Sequence, residues 1–166
     1  MKFYLDYNYY FITCKTLDGK NYFSEDFKKQ IILDELLNAE KYFKVQFIAY
    51  SILSNHYHLL FYLAKGLDLQ KIMRKINGAI SFNLKGINKP IWDDYYNSNV
   101  LDENSFYKVT GYIIGNPFKH RLVKSIDDLS NYKFCNYKEK LKEYGKEGIN
   151  EIIANVQNLN WELNLK

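Results

Sequence analysis

VQFIAYSILSNHYHLLFYL, residues 45–63, holds two apolar runs, VQFIAYSIL and HYHLLFYL, broken by Ser54 and Asn55. Each run is strand-length and rich in β-branched and aromatic residues, and the break is short, so the pair reads as a β-hairpin. Upstream, NYYFITCKT from Asn8 to Thr16 reads as a first strand. Ser24, followed by Glu25 and Asp26, is placed to cap a helix in which Phe27, Ile31, Leu33, Leu36, Leu37 and Tyr42 recur to about residue 43. Downstream, Asp68 opens a second helix with Leu69, Ile72, Met73, Ile76, Ala79 and Ile80 on its apolar face. KGINKP breaks it, IWDDYYNSNVL reads as another strand, and Asp102 or Asn104 can cap a third helix running to Asn116, where Pro117 limits it. The order β-α-β-β-α-β-α predicts an α+β fold: a ferredoxin-like antiparallel sheet with helices on one face.

At 166 residues the chain is expected to form a main unit over residues 1–125. A C-terminal extension over residues 126–166 follows, with a last amphipathic helix where Ile149, Ile152, Ile153 and Val156 recur after Gly145 and Gly148. That stretch, with Trp161, has two seats open to it, the domain itself or a partner. With 47% hydrophobic residues the chain can bury a core, which excludes a disordered tail. It has no signal-type N-terminal run and no long uncharged apolar stretch, which predicts a cytoplasmic protein with no membrane partner. Cys14 and Cys135 stand far apart with no CxxC neighbour, so buried, reduced thiols are expected rather than a disulfide or zinc ribbon. The net charge of +4 suits a polyanionic partner. Of the 23 basic residues only Arg74 and Arg121 are arginine. An AT-rich codon bias toward Lys, Asn, Ile and Tyr accounts for much of that composition.

Two constellations carry chemistry. His56 and His58 flank Tyr57 in a strand, so both imidazoles project from one face and can meet one ion; taken alone, an H-x-H is better explained by a pair of surface histidines on an exposed sheet face. Tyr112 and Asn116 lie four apart in a helix, on one face, so a phenol and an amide oxygen can converge on the same point.

The blocks Asn55-His56-Tyr57-His58-Leu59-Leu60 and Tyr112-Ile113-Ile114-Gly115-Asn116-Pro117, with Phe82-Asn83 and Trp92 between them, resemble the REP-associated tyrosine transposases and the single-tyrosine HUH transposases of small insertion sequences. Order and spacing agree over roughly residues 8 to 135. Departures are Leu53-Ser54 in place of Met-Pro, Asp93 and Asp94 in place of a Gln and a basic residue, and Phe134-Cys135-Asn136 in place of Trp-Ser-Ser. DNA contacts from the Trp92 strand and details of hairpin recognition are therefore not carried over. The resemblance implies an HUH endonuclease that cuts single-stranded, hairpin-containing DNA through a 5′-phosphotyrosine on Tyr112. Its divalent ion, Mg²⁺ or Mn²⁺, would be held by His56, His58 and Asn116. A phenol with pKa of about 10 is scarcely ionised near neutrality, so a cation that takes charge off the phosphate is chemically apt.

Lys71, Arg74 and Lys75 on the second helix, Tyr95 and Tyr96 beside Trp92, and His120 with Arg121 after the tyrosine block are candidate DNA contacts. The oligomeric state is left open between monomer and homodimer. Two other readings compete: a module that binds single-stranded nucleic acid without cutting, and an HUH replication-initiator nickase or relaxase. The complete set of His56, His58, Tyr112 and Asn116 speaks against a pure binder, and the Tyr-to-Asn-Pro block favours the transposase branch.

Overall fold

Both faces of the two central strands are buried, and that decides the architecture. A computed structural model of the chain describes residues 4–159, so Trp161 lies outside the described residues. Strands β1 (Asn8–Lys15), β2 (Phe47–Ile52), β3 (His56–Leu63) and β4 (Tyr96–Val100) form one antiparallel sheet in the order β2-β3-β1-β4. Helix α1 (Asp26–Phe43) joins β1 to β2, and α2 (Asp68–Asn83) joins β3 to β4. Helices α3 (Glu103–Lys119) and α4 (Tyr137–Ala154) follow. This is the expected α+β, ferredoxin-like arrangement.

Successive residues of β1 and β3 feed two cores. Tyr10, Ile12 and Cys14 with Tyr57, Leu59 and Phe61 pack against Ile32 and Leu36 of α1 and Ile72, Met73 and Ile76 of α2. Phe11 and Leu60 point the other way, into a core with Val109 and Ile113 of α3 and Ile149 and Ile153 of α4. Helices on one face therefore describes α1 and α2 only; α3 and α4 cover the second face around Phe11 and Leu60.

Boundaries differ from expectation where local chemistry overrides pattern. Helix α3 runs past Pro117 to Lys119, although the proline removes one helical bond, in a stretch that is buried from Val109 to Pro117. The end is then tied by His120 N–H to the Asn116 carbonyl at 2.9 Å and Leu122 N–H to the Pro117 carbonyl at 2.9 Å. Asp102 is its cap, accepting from Ser105 N–H at 2.8 Å. Ser24 does not cap α1; its hydroxyl donates to the Asn21 carbonyl instead, and Glu25 takes the cap position. The last strand is short, and Trp92 makes only an isolated bridge to Thr16. In α4 the backbone turns left-handed at Gly145 (φ 73°), so the helix is kinked there.

The outer edge of β2 is covered by residues 134–136. Ile52 N–H donates to the Phe134 carbonyl at 2.9 Å. The Asn136 amide accepts from Tyr50 N–H at 2.9 Å and donates to the Ile48 carbonyl at 3.0 Å, so one side chain completes a stretch of edge ladder. Both cysteines are buried and free, and burial pushes each thiol up to about 12.

Asn136→Ala leaves two half-buried backbone groups of β2 without their partner and is expected to cost about 1–3 kcal/mol in urea unfolding. Neither thiol is expected to react with iodoacetamide near pH 8 in the native chain, and both should react once it is denatured, as mass spectrometry will show.

Candidate active site

Strand parity sends His56 and His58 to the α3 side of the sheet, where both are buried, and their ring centroids stand 4.8 Å apart. Across the ladder Thr13 faces His58, and its hydroxyl lies 2.9 Å from His58 Nδ1. His56 Nδ1 lies 2.6 Å from Asn55 Oδ1. Over these rings lies the buried face of α3. Tyr112 is 2% exposed, with its ring 5.5 Å from that of His58. One turn on, Asn116 turns its amide nitrogen toward the Tyr112 carbonyl at 3.5 Å and its oxygen toward His56 Nε2 at 3.3 Å.

That last contact tests the fit of a divalent cation. Neighbouring ligands of an octahedral ion with bonds of about 2.1 Å stand about 3 Å apart, close to the observed nitrogen-to-oxygen separation. An amide oxygen only accepts, and a neutral imidazole whose proton sits on Nδ1 offers Nε2 as an acceptor too. Two acceptors facing each other are relieved by a cation, or by a second ring proton. The donor set of two imidazoles and one amide oxygen is neutral and leaves positions open for phosphate and water, which fits a divalent cation that takes mixed nitrogen and oxygen ligands. Among the described residues no group of three His, Cys, Asp or Glu side chains is placed to hold a metal.

Helix α3 is held from behind by α4. Gly111 and Gly115, four apart, are where the two helices touch: a Cβ at Gly111 would overlap the Ile152 carbonyl, and one at Gly115 would come within 2.6 Å of Ile153 Cγ2. Lys119 bridges both sides. Its ammonium sits 4.8 Å from the Tyr112 ring centroid and donates to the Leu159 carbonyl at 2.6 Å.

The predicted DNA contacts divide between the two layers. His120 ends α3, with its exposed ring 5.1 Å from that of His56, and lines a cleft with Lys15, Asn21, Asn55 and His56. Arg121 is exposed beside it, with left-handed φ of 59°. Tyr96 pairs with Thr13, so it points to the His58 side of the sheet and is 39% exposed. Lys71, Arg74 and Lys75 are not brought to the histidines, because they project from α2 in the opposite layer. There Lys71 pairs with Asp68 at 3.0 Å and Lys75 lies over the Tyr42 ring. Arg74 instead shares a cleft with Tyr95, Asp93 and Asp94. Burial raises the Tyr95 hydroxyl well above its usual pKa, assisted by Tyr4.

Sequence reasoning gave no role to Thr13, Lys15 or Lys119 and met Asn55 only as the first residue of the histidine block. Lys119 could have been found from its place one turn beyond Asn116; Thr13 and Lys15 needed the β1–β3 register.

The family model described as "Transposase IS200 like" matches residues 5–116. Among solved structures, the chain is similar to a REP-associated tyrosine transposase bound to a REP hairpin. The TM-score is 0.74 at 19% identity, over 86% of this chain and 84% of that one. A Deinococcus radiodurans chain named as a candidate transposase aligns at TM-score 0.46 and 15% identity, over 68% of this chain and 93% of that one. No curated protein matches. No helix among the described residues is long and apolar enough to cross a membrane.

Gly111→Ala is expected to cost about 1–3 kcal/mol in urea unfolding by prising α4 from α3. Gly78→Ala, in mid-α2 with open space around it, should gain about 0.5–1 kcal/mol in the same measurement.

Proposed function

Because this chain belongs to the IS200-like transposase family, we propose that it is a metal-dependent endonuclease and strand transferase acting on single-stranded DNA through Tyr112. The observation that carries this reading is the convergence of His56, His58, Asn116 and Tyr112 on one buried spot from two elements, β3 and α3. His56 Nε2, His58 and Asn116 Oδ1 are the ligands. A bound Mg²⁺ or Mn²⁺ would take a phosphoryl oxygen and offset charge as the phosphate is attacked.

The phenol oxygen of Tyr112 attacks phosphorus in line with the leaving O3′. A Tyr–O–P bond forms and the P–O3′ bond breaks. The phenol proton passes to water, and O3′ takes one to leave as a 3′-hydroxyl. The 5′-phosphate stays on the protein, so the energy of the diester is kept. A 3′-hydroxyl attacking the phosphotyrosine reverses the sequence and joins strands. Hydrolysis by free water would waste that bond, and Tyr112 is buried between α3 and the sheet.

The DNA partner is single-stranded, with a hairpin as the natural first probe given the relative that binds one. Lys15 and His120 line the cleft beside His56, Arg121 is exposed next to His120, and together they supply positive charge and donors for flanking phosphates. Tyr96 offers an exposed ring on the same side of the sheet, about two strand spacings or roughly 10 Å from His58.

A labelled single-stranded hairpin pool incubated with the protein and Mn²⁺ should yield a covalent band on denaturing gels. The band should vanish with chelator and with Tyr112→Phe. Asn116→Ala should weaken Mn²⁺ binding by calorimetry at least about tenfold and slow adduct formation with it. Unchanged affinity and rate in that variant would remove Asn116 from the ligand set. Binding without any adduct on any pool would favour the non-cutting module. Tyr96→Ala should weaken single-strand affinity by about 1–3 kcal/mol in fluorescence titrations, whereas Tyr95→Ala, in the other layer, should leave it unchanged.

A further inference from the structure

A backbone carbonyl on a distant loop fixes which nitrogen of His56 carries the proton. The amide nitrogen of Asn55 lies 3.1 Å from the carbonyl oxygen of Gly19. That oxygen can only accept, so the NH₂ end of the amide is turned to it and Oδ1 is turned to His56. Oδ1 has no proton to give. The 2.6 Å contact is therefore a bond donated by His56 Nδ1–H. A neutral imidazole has a single ring proton, so Nε2 is left with its lone pair, and Nε2 is the atom that faces Asn116 Oδ1.

The loop is built to hold this. Asp18 and Gly19 both take left-handed backbone (φ 57° and 64°), ending the short 3-10 turn Leu17–Gly19. Thr16 N–H donates to the Asn55 carbonyl at 2.9 Å, and Phe23 N–H donates to the Ser54 carbonyl at 2.8 Å, so the turn before β3 is pinned to that loop on both sides. Asn55 is the link that carries this rigidity to an imidazole ring.

We propose that Asn55 is a positioning residue: it selects the Nδ1–H tautomer of His56 and, anchored on Gly19, holds the ring so that Nε2 is presented to the cation. The inference rests on His56 being a ligand, as proposed above, but the tautomer itself can be read without metal. Hydrogen bonds of this kind to the far nitrogen of a ligating histidine typically change metal affinity about 10–100-fold.

The test uses the full metal-free chain labelled with ¹⁵N-histidine, at a pH where the ring is neutral, and Mn²⁺ calorimetry on the same samples. Wild type should show His56 protonated on Nδ1. Asn55→Ala should give a mixture of tautomers and bind Mn²⁺ about 10–100-fold more weakly. Asn55→Asp keeps an acceptor toward Nδ1 but loses the donor to Gly19, so it should hold the Nδ1–H tautomer while giving up part of the affinity, whereas a merely structural role for the amide predicts no control of the tautomer. Should wild-type His56 carry its proton on Nε2, or should Asn55→Ala leave tautomer and affinity as they were, the proposal is overturned. A wild type that binds no Mn²⁺, while the His56 tautomer still follows residue 55, upholds the role of Asn55 and removes the metal reading alone.

Discussion

The register of the ladder between β1 and β3 places Thr13 opposite His58 and Lys15 opposite His56, and every other feature of the site follows from that pairing. Side chains alternate along a strand with a period of two. A slip of β3 by one residue would carry both imidazoles into the layer of α1 and α2 and bring Tyr57 to the face of α3. The slip is prevented by what the two cores are made of. Tyr57, Leu59 and Phe61 are large and wholly buried on one side, Leu60 with Phe11 on the other, and the sets are not interchangeable. Packing that looks purely structural thus fixes the position of the ring nitrogens.

Helix α3 supplies the second half of the site, and its two faces are equally constrained. Tyr112 and Asn116 look toward the sheet, while Gly111 and Gly115 look toward α4. A helix that carries both a candidate nucleophile and a candidate ligand links the two events: displacing it alters the phenol and the amide oxygen together. Lys119 adds to the linkage, because one ammonium touches the Tyr112 ring and the segment that follows α4.

Much of this is legible in the residues, and the limit of legibility has a physical cause. The hairpin of residues 45–63, the helix opening at Asp68 and the four residues of the candidate site could be read because each depends on local pattern or on a fixed spacing. Which layer a side chain joins depends on pairing between distant strands, which no local pattern contains. Hence Lys71, Arg74 and Lys75, a sound basic row on α2, stand across the sheet from the histidines, and Tyr96 rather than Tyr95 shares their side. Asn55 was visible as part of a block. Its bond to Gly19 was not, because it spans 36 positions and closes only when the loop takes left-handed backbone. Pro117 misled for the opposite reason: a strong local rule was outweighed by the packing of a helix that is buried from Val109 to Pro117.

The contact of Gly111 and Gly115 with Ile152 and Ile153 also bears on how the chain behaves as it opens and closes. Val109, Ile113, Ile149 and Ile153 share one buried cluster, so α4 cannot peel away without baring an apolar strip on the back of α3. The last helix and the helix bearing Tyr112 therefore belong to a single cooperative unit, and amide protons in both should exchange from the same opening event. Residues that never approach the histidines in this way set how often the phenol is exposed to water.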